Sequence, residues 1–191
     1  ITEYTYLQNR RKIDTITTRR EQTVLLQYSY IHDNKDNITQ ITSNLYGTNN
    51  YTYNDRGWLL EEETPQGTTA YTYDSRGNRT SKVDSSGTTT YEYNLNNQPT
   101  VIHHPNSNTT TLTYTTRGAL SSVTTSSPPS TTYYSYRHCE TLIMVQRQGS
   151  PDINYVYNGM NQLVGRIEGQ EVSSYHYDIG IGREEGERNV T

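Results

Sequence analysis

Tyrosines recur in this chain as pairs two residues apart, and the pairs keep a nearly fixed period. They are Tyr4/Tyr6, Tyr28/Tyr30, Tyr51/Tyr53, Tyr71/Tyr73, Tyr91/Tyr93, Tyr134/Tyr136, Tyr155/Tyr157 and Tyr175/Tyr177, with Leu112-Thr113-Tyr114 as a degenerate copy. First positions are separated by 24, 23, 20, 20, 21, 22, 21 and 20 residues. Of the 19 tyrosines only Tyr46 and Tyr133 fall outside the pattern. A period in this range marks a repeat architecture and outranks any local preference. In an extended chain residues two apart point to one face, so each pair belongs to one side of a strand.

Turn residues fill the spaces between strands. After Tyr71-Thr72-Tyr73, Asp74 and Gly77 bracket Ser75-Arg76 as the ends of a β-turn. Asp suits the first position because its side chain caps nearby N–H groups, and Gly suits the fourth because it accepts positive φ. Asp84-Ser85-Ser86-Gly87 repeats the turn before Tyr91 and Tyr93. Gly57, Gly67, Gly77 and Gly87 stand ten apart, so the half-repeat is one strand plus one turn. Nine units of two strands give about 18 strands, roughly 85 Å along the sheet at the usual strand spacing.

The hydrophobic fraction is 30%, there is no Phe, and the mean hydropathy is −0.95, too polar for a compact two-layer domain of this length. A one-layer antiparallel sheet resolves the conflict, with tyrosine rings touching across strands on one face and hydroxyls that stay hydrated or bonded. Departures from the unit are expected at Pro128-Pro129, read as a lengthened turn, and at His103-His104-Pro105-Asn106-Ser107-Asn108, read as a broadened one. Thr141-Leu142-Ile143-Met144-Val145 reads as a strand covered on both faces.

Candidate chemical sites are weak. The net charge of −4 gives no electrostatic reason to bind nucleic acid. No apolar run is long enough for a membrane helix. Cys139 is the single cysteine, which excludes an internal disulfide or cysteine-based metal site. His103-His104 lacks a third ligand and its neighbours face opposite ways. His138-Cys139-Glu140 sets a nucleophile beside a base without triad geometry. Glu61-Glu62-Glu63 suits a solvated face, and Asn54-Asp55 and Asp152 suit turns better than calcium loops. Hence no catalytic residue, metal or cofactor is expected. The chain opens inside a repeat and ends soon after one, which suggests a piece or processed product of a longer protein.

The segment Tyr71-Thr72-Tyr73-Asp74-Ser75-Arg76-Gly77-Asn78-Arg79-Thr80 resembles the YD repeat of Rhs proteins, toxin-complex C subunits, wall-associated bacterial proteins and teneurins. The stretches 51–60 and 155–164 are similar, and weaker copies extend the likeness from Tyr4 to about Gly182. The resemblance implies an all-β hairpin ribbon, one layer thick, curling into part of a spiral shell over residues 1–182, with 183–191 an irregular tail. It further implies a non-enzymatic wall segment of a secreted or cell-surface protein. Its partners would be the remaining repeats and an enclosed cargo or toxin domain. Bacterial relatives often cleave themselves at an Asp-Pro motif; this chain has no such dipeptide, so that activity is not expected. The rival reading is a module that binds carbohydrate or a cell-surface partner through exposed Tyr, Asn, Asp and Arg.

Overall fold

A computed structural model describes residues 1–8 and 11–177, and only the backbone of Cys139. The expected tail at 183–191 lies outside the described residues. The chain divides into two compact units, Ile1–Gln98 and Pro99–Thr191. The first holds β1 (Thr2–Tyr6), β2 (Ile13–Arg20), β3 (Thr23–His32), β4 (Ile38–Ser43), β5 (Gly47–Tyr53), β6 (Leu59–Thr64), β7 (Gly67–Tyr73), β8 (Arg79–Asp84) and β9 (Gly87–Tyr93). The second holds β10 (Pro99–His103), β11 (Thr109–Tyr114), β12 (Leu120–Ser126), β13 (Pro129–Arg137), β14 (Thr141–Arg147), β15 (Ile153–Tyr157), β16 (Leu163–Glu168) and β17 (Glu171–Ser174). Within each unit every strand pairs antiparallel with the next in sequence. The described helix content is one 3-10 turn, His138–Glu140, so the all-β expectation holds.

The sheet is one layer thick, and its burial shows why the sequence is so polar. No described side chain is fully buried; Val145 and Ile153 are the only hydrophobic residues in the buried class. They face each other across β14 and β15, and Tyr134 is the partner of Val145 on β13. The expectation that 141–145 is covered on both faces is therefore corrected. Thr141, Leu142, Ile143 and Met144, which alternate between the two faces, are only half-buried.

Turns alternate between two kinds. Wide turns of five residues follow the tyrosine-bearing strands, at 33–37, 54–58, 74–78, 94–98, 115–119 and 158–162. Short ones close the opposite ends, as in Thr64↔Gly67 and Asp84↔Gly87. Asp84-Ser85-Ser86-Gly87 is thus a different, tighter turn from Asp74–Asn78, although both place glycine at positive φ. Pro128-Pro129 also departs from expectation. Ser126 pairs with Pro129, leaving only Ser127-Pro128 in the loop. Pro129 is the first residue of β13, where a missing N–H is tolerated. The 104–108 turn is broadened as expected, with His104 N–H donating to the Asn108 carbonyl at 2.8 Å.

The tyrosine pairs also need two corrections. Tyr71 and Tyr91 are on one face but sit on β7 and β9, two strands apart, so their rings do not meet as cross-strand neighbours. Arg79 of the intervening β8 fills the gap, its guanidinium carbon 5.7 Å from the Tyr71 ring centre and 4.6 Å from that of Tyr91. In the second repeat the wide turn begins at Asp33, so Tyr30 and His32, rather than Tyr28 and Tyr30, occupy the places of Tyr51 and Tyr53.

Candidate functional site

The wide turns are built around one side chain each. Asp74 Oδ1 accepts from the backbone N–H groups of Arg76 and Asn78, both at 2.9 Å, while Oδ2 accepts from Asn78 Nδ2 at 2.8 Å. Asp33 binds Lys35 and Asn37 the same way, and Asn54, Asn94 and Asn158 use their amide oxygens. This bonding holds the Asp74 carboxyl below the usual carboxylate range, chiefly through the Asn78 side chain. The fourth residue of the turn has positive φ: 79° at Gly57, 92° at Gly77 and 60° at Asn97. That conformation shifts the register by one residue at the preceding tyrosine, as at Tyr53 and Tyr73.

From the third repeat onward, the tyrosine that ends each pair reaches the neighbouring strand. Tyr73 Oη donates to the Leu59 carbonyl at 2.7 Å, and Tyr53 Oη donates to that of Ile38 at 2.8 Å. Tyr93 reaches Arg79, Tyr114 Pro99, Tyr136 Leu120, Tyr157 Leu142 and Tyr177 Leu163 in the same way. Every acceptor lies at the start of a strand, just past the preceding wide turn or the 3-10 turn. We call this repeated bond the latch. Phe has no hydroxyl to make it, which gives the absence of Phe from the chain a physical reason. Burial pushes the Tyr53, Tyr73, Tyr93, Tyr114 and Tyr136 hydroxyls above their ordinary pKa.

The first tyrosines do different work. Tyr51 Oη accepts from Asn49 Nδ2 at 3.2 Å, and Tyr91 Oη accepts from Arg79 Nη2 at 3.0 Å. Tyr134 and Tyr155 continue the same positions on β13 and β15, and Tyr175 follows β17. On the other face, the residue between the tyrosines supplies hydroxyl contacts. Thr72 Oγ1 lies 2.6 Å from Ser81 Oγ, and Thr113 Oγ1 lies 2.7 Å from Ser122 Oγ.

A second set of bonds ties successive wide turns together. Lys35 Nζ donates to the Asp55 carbonyl at 2.8 Å, Arg56 Nη1 to Ser75 at 2.8 Å and Arg76 Nη1 to Leu95 at 3.4 Å. At these three junctions the third residue of one turn thus reaches the second residue of the next. Trp58 strengthens one junction, its ring centre 5.4 Å from that of Tyr73 and under the Arg56 guanidinium at 5.0 Å. Sequence reasoning found the tyrosines, Asp74 and Gly77 but missed this edge ladder. The recurrence of Lys35, Arg56, Arg76 and Arg117 at the third turn position was the available signal.

The weaker candidates stay apart. His104 Nε2 is 2.9 Å from Thr110 Oγ1, and no cluster of three potential metal ligands occurs among the described residues. His138 and Glu140 are the first and last residues of the 3-10 turn, with Glu140 Oε1 4.0 Å from Arg117 Nε. Glu61, Glu62 and Glu63 lie along β6, where Glu63 accepts from Asn50 Nδ2 at 3.2 Å.

Removing one latch gives a direct test of its weight. Tyr73→Phe keeps the ring against Trp58 but leaves the Leu59 carbonyl without this donor. It is expected to cost about 1 kcal/mol, the net worth of one partly buried hydrogen bond. Urea melts of parent and variant measure this, and an unchanged midpoint would show that the latch adds no stability.

The two-stranded units, latched by phenolic hydroxyls and tied turn to turn, define a repeat β-sheet protein whose regular parts serve structure. Residues 53–89 match the family described as RHS Repeat. No curated protein matches the chain. Its fold is similar to solved toxin-complex structures. The crystal structure of TcdB2-TccC3 aligns with a TM-score of 0.63 at 13% identity, covering 93% of this chain and 13% of that one. The same pair solved with Cdc42 gives 0.62 at 13% identity, with the same two coverages. The Photorhabdus luminescens Tc holotoxin pore carrying TccC3-D651A gives 0.52 at 17% identity, covering 94% and 12%. The present chain therefore spans about an eighth of the length of the chains it resembles.

Proposed function

We propose that this chain is a non-enzymatic wall segment of a hollow β-shell, part of a larger secreted polymorphic-toxin-type protein that encloses a cargo or toxin domain. The latch carries this reading, because the same hydroxyl-to-carbonyl bond recurs from Tyr53 to Tyr177 and is invested in joining neighbouring strands rather than in a single pocket. A bond made once per repeat lets the sheet be extended unit by unit without a hydrophobic core. Polar faces suit a container, since an apolar lining would hold on to an unfolded cargo by the same burial that folds proteins. The likeness in fold to TcdB2-TccC3 supports the same reading.

Protease protection tests it. In the full-length parent, a domain outside the repeats is expected to survive trypsin at concentrations that degrade the same domain expressed alone. Equal digestion rates in the two settings would overturn the reading. A turnover screen of the chain against glycoside, ester and peptide substrates is expected to give no activity above buffer.

A further inference from the structure

We propose that a groove beside Tyr133 binds a neutral saccharide of one or two pyranose rings, stacked on that tyrosine. Tyr133 is one of the two tyrosines outside the repeat pattern. It directly precedes Tyr134, so it points to the opposite face of β13 from the tyrosine pair. It stays 55% exposed. The groove has a volume of about 500 Å³ and is lined by Thr131, Tyr133, Gln146, Arg147, Gln148 and Asp152, all from the second unit.

Gln146 is the cross-strand partner of Tyr133, which sets an amide beside the ring. Its Nε2 donates to Asp152 Oδ2 at 3.3 Å, so the carboxylate is held next to the same ring. A pyranose matches this set: its C–H face covers an aromatic ring, and its adjacent hydroxyls bond amides and a carboxylate. Charge selects against anions. Asp152 has no cationic partner among the described residues, while Arg147 is already bound to Glu168 and donates to the Pro151 carbonyl at 3.1 Å. An apolar ligand would need aliphatic walls, and the groove has one ring and five polar residues. A peptide strand has no ladder to join, because β13 is paired on both sides.

This site does not depend on the shell reading, and its test is separate. Saturation-transfer NMR of the chain would be run with methyl β-D-glucopyranoside, methyl α-D-mannopyranoside, lactose and N,N′-diacetylchitobiose at millimolar concentration. Saturable binding of at least one is expected. Tyr133→Ala and Asp152→Asn should each weaken it at least tenfold, whereas Tyr46→Ala, at an exposed tyrosine elsewhere, should not. Asp152 is exposed, so its variant carries the test even if Tyr133→Ala fails to fold. No binding of any of the four sugars, or binding that survives both substitutions, would overturn the proposal.

Discussion

Gly77→Val is expected to destabilise the protein by about 3 kcal/mol, because two costs fall on one position. The backbone there has φ of 92°, a region where a β-branched residue is strained by about 1–3 kcal/mol. A Cβ at Gly77 would also sit 2.9 Å from Trp58 Cζ2, and the indole is held between Arg56 and Tyr73. Overpacking of that kind adds about 1–3 kcal/mol, and the two terms are not independent. Gly149→Val separates them: φ is 78° but nothing lies within 4 Å of the new Cβ, so only strain remains. For a chain of this size the Gly77 variant should melt roughly 6–12 °C lower. Gly149→Val should fall about half as far. Equal shifts would mean that Trp58 moves aside freely and contributes nothing to the junction.

The repeat was legible because its signals are local. Tyr71 and Tyr73 share a face by the pleat alone, and Asp74 with Gly77 announces a turn through side-chain chemistry that acts within five residues. The latch was not legible, because its acceptor is a backbone carbonyl, and every residue carries one. Leu59, Arg79 and Pro99 accept the same bond without sharing any side-chain property. Strand order hid the other misreading. Tyr71 and Tyr91 recur in phase, but an antiparallel repeat of two strands puts a whole strand between successive copies. Which residue fills that gap, Arg79 here, is decided by the return strand. Pro128-Pro129 misled for a related reason: proline forbids donation to the ladder, yet the first residue of a strand need not donate. In the second repeat the spacing drifted by two residues, and only the position of Asp33 reveals that His32 stands where other units place the latch tyrosine.

Stability should be flat near neutrality and fall at both extremes of pH, for opposite reasons. At the alkaline end, the latch hydroxyls of Tyr53, Tyr73, Tyr93, Tyr114 and Tyr136 have pKa values raised, first by burial. A group whose folded pKa exceeds its unfolded one contributes stability that is complete below the unfolded value, near 10 for tyrosine, and is lost as pH rises through the folded value. An ionised phenol also has no proton to donate to the facing carbonyl. At the acid end the sign reverses. Asp33 and Asp74 are held low, first by the side chains of Asn37 and Asn78, and Glu168 first by Arg147 and then by Arg166. Their contribution is present above the ordinary carboxylate pKa and disappears as pH falls through the folded values. Melting temperature against pH should therefore hold from about 5 to 9 and drop above 10 and below about 4. Replacing Tyr73 and Tyr93 together by Phe should lower the plateau and make the alkaline drop shallower, since two titrating donors are gone. An alkaline limb of unchanged slope in that double variant would show that the latches do not govern stability at high pH.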